Sequence, residues 1–190
     1  MSEDGEQRRD GRSTDTRDRI EDVALGLFTR KGFAATTLQD IADELGLTKA
    51  ALYHYYRSKN ELIRQLICPA VDSVNEFFAR AEADELAPAE LLEGFFDLNY
   101  RHRAIFIALT ADPSGLAIAD AHGWVTRLAV LAQERLVGRG ATPDQRIRAV
   151  IAVHGLSRCA TLLTDIPHEE LRRRTIRAVL DLLEEADAGG

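Results

Sequence analysis

Residues 32–59 read GFAATTLQDIADELGLTKAALYHYYRSK, and the order of polar and apolar positions predicts two short helices joined by a tight turn. Thr37 stands where an N-cap belongs, with Asp40 three residues on as its capping-box partner. Leu38, Ile41, Ala42 and Leu45 then recur at helical spacing. Gly46 can take a left-handed turn without steric cost, and Thr48 can cap a third helix through Ala50, Leu52, Tyr53 and Tyr56. Ile41, Ala42, Leu47 and Leu52 are small or apolar where two such helices must cross. This pattern is a minimal helix-turn-helix.

Outward from this core the chain continues to read as helix. Upstream, Ile20, Val23, Ala24, Leu27 and Phe28 form one apolar face between Thr14 and Arg30, ended by Lys31-Gly32. Downstream, Ser58 and Glu61 open a longer helix through Leu62, Ile63, Leu66 and Ile67. Asp112-Pro113 and Thr142-Pro143 each place a capping residue before a proline at the first helical position, and Gln145 completes a capping box with Thr142. Pro88 and Pro167 mark two further starts. The remaining helices are expected near 69–84, 88–99, 101–110, 113–137, 143–164 and 168–186. The fold class is therefore all-α, with about nine helices and no strand-like alternation or internal repeat.

Composition narrows the function classes. The 190-residue chain carries a formal net charge of −7, which by itself argues against a nucleic-acid partner. Its distribution argues the other way: from Leu45 to Ile67, Lys49, Arg57, Lys59 and Arg64 face only Glu61, a local +3. Met1 to Thr14 has no apolar run from which a secretion signal could be built, and no stretch reaches the roughly 18 consecutive apolar residues of a membrane span. A soluble, cytoplasmic protein is expected, with Cys68 and Cys159 reduced and inert.

A helix-turn-helix sets its second helix into the DNA major groove, N-terminal residues nearest the base edges. Thr48, Lys49 and Ala50 then face bases, while Tyr53, His54 and Tyr55 lie further along. Helix N-termini attract phosphate, which places Thr37 and Lys59 at the DNA backbone. Four consecutive ring residues, Tyr53 to Tyr56, cannot all enter a core, so some face outward.

The same stretch resembles the DNA-binding signature of TetR-family regulators. The Gly32-Phe33 pair, Thr37 opening the second helix, Ile41-Ala42, Gly46-Leu47-Thr48, Leu52-Tyr53 and Ser58-Lys59 all match, with tyrosine at Tyr55 and Tyr56 where histidine and phenylalanine are frequent. The likeness covers about residues 15–67. It implies an all-helical homodimeric repressor of a double-stranded DNA operator, with a C-terminal ligand-binding domain and a small-molecule effector. The family's DNA-contacting positions fall on Thr37, Thr48, Lys49, Ala50, Tyr53, Tyr55 and Lys59. The expected organisation is a disordered arm over 1–14, a DNA-binding domain over 15–60, and a ligand-binding and dimerisation domain over 61–190. Activation in place of repression stays open at this point.

In the C-terminal half, the helix from Pro143 is apolar on two sides, with Ile147, Val150, Ile151 and His154 on one and Ala149, Ala152, Val153, Leu156 and Ala160 on the other. It is expected to pack with the last helix against a second subunit, which would read a pseudo-palindromic operator. Phe95, Phe96, Tyr100, Phe106, Trp124, His154 and Arg158 are the candidate ligand-binding residues, because small-molecule sites are mostly apolar with a few placed polar groups. Arg158 among apolar neighbours suggests a hydrophobic effector bearing an anionic group. The five histidines form no metal-binding motif and no serine sits in a nucleophile elbow, so neither enzyme activity, metal nor cofactor is expected. A helical protein that only binds protein partners is the rival class; it predicts indifference to loss of Lys49 or Tyr53.

Overall fold

The computed structural model describes the backbone of residues 3–121, 124–138 and 140–184, and the side chains of residues 15–184 except 122–129 and 139. Ten helices run through the described residues: α1 (Glu3–Lys31), α2 (Leu38–Leu45), α3 (Lys49–Tyr55), α4 (Lys59–Ala83), α5 (Pro88–Arg101), α6 (Arg103–Ala111), α7 (Ser114–Ile118), α8 (Trp124–Val137), α9 (Pro143–Leu162) and α10 (His168–Glu184). Two compact units result, one of residues 1–69 with 107–120, the other of 70–106 with 121–190. The division falls at Pro69, where a boundary after residue 60 was expected, and the first unit takes back a segment from the middle of the chain.

In the first unit α1 buries Ile20, Ala24, Leu27 and Phe28, one face of the helix. It stops at Gly32, whose φ of +83° a side chain would strain and whose N–H donates to the Phe28 carbonyl at 2.8 Å. Phe33 then folds back and stacks on Phe28 with ring centroids 4.7 Å apart. α1 begins at Glu3, so residues 3–14 are helical where a disordered arm was expected. Thr37 makes both halves of its capping box with Asp40. Gly46 closes α2 in the left-handed region at φ +66°, and Thr48 Oγ1 caps α3 by accepting from the Ala51 N–H at 3.1 Å.

Helix α4 differs from the expectation of two helices meeting at Pro69. It runs through the proline without a break. Pro69 is exposed while Ile63, Ile67, Ala70 and Val74 stay buried, so the carbonyl freed by the missing N–H lies on the wet side. The single helix expected over 113–137 is instead α7 and α8, since the chain leaves helical geometry after Ile118 and takes a positive φ at Asp120. Asp112 still accepts from the Ser114 N–H at 3.0 Å, as a capping residue before proline should.

The second unit is built on α5 and α9. Leu91, Leu92, Phe95 and Phe96 from α5 are buried, as are Ala149, Ala152, Val153, Leu156 and Ala160 from α9. Alanines on α9 bring the helices close, and the buried Asn99 is satisfied there, accepting from Ser157 Oγ at 2.7 Å while donating to the Phe95 carbonyl. Helix α10 adds Leu171, Ile176 and Val179 to this core. Arg172 holds it to α5 through Asp97 (2.9 Å) and Glu93 (3.0 Å). On α10, Glu170 pairs with Arg174 one turn on, while Glu169 meets His168.

Gly94 lies against the Phe77 ring so closely that a Cβ would overlap it. Gly94→Ala should therefore lower stability by about 1–3 kcal/mol through overpacking. Gly140→Ala, where a Cβ meets nothing within 4 Å, should change little. Urea unfolding of both variants checks this; equal midpoints would show that α4 and α5 do not pack as described.

Candidate nucleic-acid interface

Helix α3 turns one face inward and one outward. Leu52 is fully buried, and Tyr56 just past the helix is 1% exposed. The Tyr56 hydroxyl donates to Glu21 Oε1 at 2.6 Å, and burial together with this bond pushes its pKa upward. On the other face Thr48, Lys49, Ala50, Tyr53 and His54 are exposed, with Tyr53 at 45%. Tyr55 is half-buried, edge-on to His54. The four-ring run thus splits as chain geometry demands, with Tyr56 in the core and Tyr53 outward. The Lys49 ammonium lies 5.9 Å from the Tyr53 ring centre, within cation–π range, which orders both without burying either.

Beside this face is a groove of about 300 Å³ lined by residues of α2, α3 and the start of α4. It contains Thr37, Lys49, Tyr53 and Lys59, four of the residues expected at DNA, and also Gln39 and Arg57, which the sequence reading did not select. Arg57 was visible only as local positive charge. Gln39 had no signal of its own, and its side chain donates to Asp43 at 2.6 Å.

Lys59 does more than was expected of it. Its ammonium donates to the carbonyls of Phe33 (2.9 Å) and Ala34 (3.1 Å), leaving one of three N–H directions for a phosphate. On the N–H side of the same two residues, Asp112 Oδ2 accepts from Phe33 at 2.7 Å and Ala34 at 3.3 Å. The turn entering α2 is thus clamped between an anion and a cation. Lys31 adds an ion pair to Asp40 at 3.0 Å, and the bonds from Thr37 and Lys31 hold the Asp40 carboxyl well below its ordinary range.

The ligand-binding candidates are not gathered in one place. Phe95 and Phe96 are buried in the second unit's core. Tyr100 is half-buried, stacked on Phe96, 4.4 Å from the His168 ring and with the Arg103 guanidinium 4.5 Å from its centre. Phe106 meets His102 edge-on. The side chain of Trp124 lies outside the described residues. His154 and Arg158 are exposed, on the side of α9 opposite its buried alanines. Arg158 is exposed where burial among apolar neighbours was expected, so burial of its charge does not call for an anionic ligand. The sequence reading passed over His102, whose buried Nε2 has no hydrogen-bond partner and whose pKa is lowered by burial and by Arg101.

Among the described residues no group of three or more His, Cys, Asp or Glu is placed to hold a metal ion, and no helix is long and apolar enough to cross a membrane. Cys68 and Cys159 are free thiols.

Residues 20–66 match the family model described as bacterial regulatory proteins, tetR family. Over 104 residues the chain is 30% identical to the biofilm operon icaADBC HTH-type negative transcriptional regulator IcaR of Staphylococcus epidermidis, covering 53% of this chain and 56% of that protein. It is 28% identical over 96 residues to the HTH-type transcriptional repressor KstR2 of Mycolicibacterium smegmatis, covering 48% and 47%. The chain thus spans about half the length of these curated relatives. Two solved structures share the fold: a TetR-like transcriptional regulator from Rhodococcus (TM-score 0.64, 24% identity, 91% of this chain and 96% of that one) and the ketosteroid transcriptional regulator KstR2 of Mycobacterium tuberculosis (TM-score 0.62, 22%, 87% and 93%).

Hydrogen bonds from Ser114, Ala34 and Phe33 keep the Asp112 carboxyl below its ordinary pKa. A depressed carboxylate stabilises the fold above its unfolded-state pKa, near 4, and the gain fades as pH falls through the lower folded value. Wild type should therefore exceed Asp112→Asn in stability at neutral pH, and the gap should close in acid. Urea midpoints across pH test this; a gap independent of pH would remove the charge from the account.

Proposed function

The chain belongs to the TetR family of bacterial regulatory proteins, and from that premise we propose that it is a cytoplasmic transcriptional repressor, acting as a homodimer on a pseudo-palindromic operator and released by a small-molecule effector. The observation that carries the reading is the outward face of α3. Thr48, Lys49, Ala50 and Tyr53 are presented to solvent by a helix whose opposite face is locked through Leu52 and Tyr56. Thr48 and Lys49 would reach base edges, Ala50 a thymine methyl, and Tyr53, His54 and Tyr55 the strand further along. The groove beside them offers Thr37, Arg57 and Lys59 to a phosphate. Repression is favoured over activation because IcaR is named a negative regulator and KstR2 a repressor.

The partner surface of the dimer is read from α9, where Ile147 is 57% and Ile151 53% exposed. Exposed β-branched residues in a row on a helix are normally covered by something. Two copies related by a two-fold would set their α3 helices to read symmetric half-sites about one DNA turn apart. The effector is assigned to the second unit, where the half-buried rings of Tyr100 and Phe106 lie beside a core that holds Phe95 and Phe96, a setting suited to a hydrophobic molecule. An effector that binds more tightly to a dimer with another half-site spacing would draw the population off DNA.

Fluorescence anisotropy on the DNA flanking the protein's own gene tests the central claim. Binding should weaken steeply with salt, and Lys49→Ala should lower affinity and reduce the log–log salt slope by about 1, as loss of one phosphate or base-edge cation requires. Tyr53→Ala should weaken binding with the fold intact by circular dichroism. If neither variant differs from wild type on any operator recovered by random-sequence selection, the α3 assignment is wrong.

A further inference from the structure

Gln39 belongs to α2, yet it lines the groove beside α3. It is the second residue of its helix, exposed, and shares the groove wall with Lys49 and Tyr53 of the outward α3 face. Its side chain is not free to turn. Nε2 donates to Asp43 Oδ1 at 2.6 Å, one helical turn on. An ionised carboxylate only accepts, so it is the amide nitrogen of Gln39, not the amide oxygen, that must face Asp43.

The hydrogen-bond inventory then narrows what Gln39 can bind. A primary amide carries two N–H donors and one acceptor oxygen. With one N–H given to Asp43, Gln39 keeps one N–H and Oε1. In the DNA major groove that combination fits adenine, which offers N7 as an acceptor beside its N6 amino donor. Guanine presents two acceptors, N7 and O6, and would set O6 against Oε1.

Asp43 supplies a second argument, because its position is unfavourable on two other counts. It is an exposed acid in the last turn of α2, where the helix dipole disfavours negative charge. It also stands one turn from a groove lined by Lys49, Arg57 and Lys59, where a negative charge weakens attraction for phosphate. Asp40 and Glu61 in the same region are bonded to backbone N–H groups. Asp43 is bonded to the Gln39 amide, so fixing that amide is what its charge accomplishes.

We propose that Gln39 reads an adenine in each half-site of the operator, and that Asp43 is the positioning residue that fixes the amide for that base. This rests on the reading of α3 as the DNA-binding element. To it are added a base contact from the preceding helix and the identity of the base.

Random-sequence selection of double-stranded DNA by the full-length protein tests this, with wild type, Gln39→Ala, Asp43→Ala and Asp43→Asn run side by side. Anisotropy follows on the recovered operator and on copies with single A·T pairs changed to G·C. Wild type should prefer A·T at one position of each half-site by about tenfold. Gln39→Ala should lose that preference and no other, with the salt slope unchanged, since an uncharged side chain displaces no counterion. Asp43→Ala should relax the same position without loss of overall affinity, because it also removes a negative charge. Asp43→Asn, whose amide oxygen can still accept from Gln39, should keep the preference. Circular dichroism checks that each variant is folded. Unchanged base preferences in Gln39→Ala overturn the proposal and leave the α3 reading standing. Equal weakening of Gln39→Ala on every sequence, the mark of a phosphate contact, does the same. A wild type that selects no sequence overturns both.

Discussion

The first unit is organised around a two-residue peptide held from both sides. Asp112 takes the N–H groups of Phe33 and Ala34, and Lys59 takes their carbonyls. Each ion is bonded to peptide dipoles rather than to the other, and the three parties come from positions far apart in the chain. Removing either ion would leave peptide groups needing new partners, which is the expensive direction for a polar network. The clamp fixes where α1 ends and so where Thr37 begins α2. It also binds the α6–α7 segment into the DNA-binding unit, helped by Gly115, whose missing Cβ gives room to the Phe33 ring, and by the Arg64 bond to the Ile118 carbonyl at 3.0 Å. The outward angle of α3 depends on α2 through the Gly46 turn, and so depends on this clamp.

What was legible in the sequence follows from how local the deciding physics is. The caps at Thr37, Thr48 and Thr142 and the turns at Gly32 and Gly46 involve partners within five residues, and each is found where the residue pattern puts it. Asp112 is 79 residues from Phe33, so no window on the chain could reveal its second role. Pro69 was read through its local penalty, which tertiary packing of Ile63, Ile67, Ala70 and Val74 overrides. The break between α7 and α8 is set by the positive φ at Asp120, which nothing in the surrounding sequence demands.

Site residues divide along the same line. For α3, exposure follows from periodicity once Leu52 and Tyr56 are assigned to the core, so Thr48, Lys49, Ala50 and Tyr53 could be named without coordinates. For an effector site no such rule operates, because a phenylalanine lining a cavity and one filling a core look alike in sequence. Phe96 stacks on Tyr100 within a packed cluster, while His154 and Arg158 project from the far side of α9. The two-sided apolarity of α9 was readable; which side faced inward was not, until the alanines proved to be the buried set.

Net charge illustrates how far a global property can mislead. A chain at −7 should avoid a polyanion, yet only the field within a Debye length, about 8 Å at physiological salt, governs contact. In the groove beside α3, Lys49, Arg57 and Lys59 are the charged residues that line the wall. Nearby acids are spent inside the fold: Asp40 on Thr37 and Lys31, Glu61 on the Arg57 N–H, Glu21 on Tyr56.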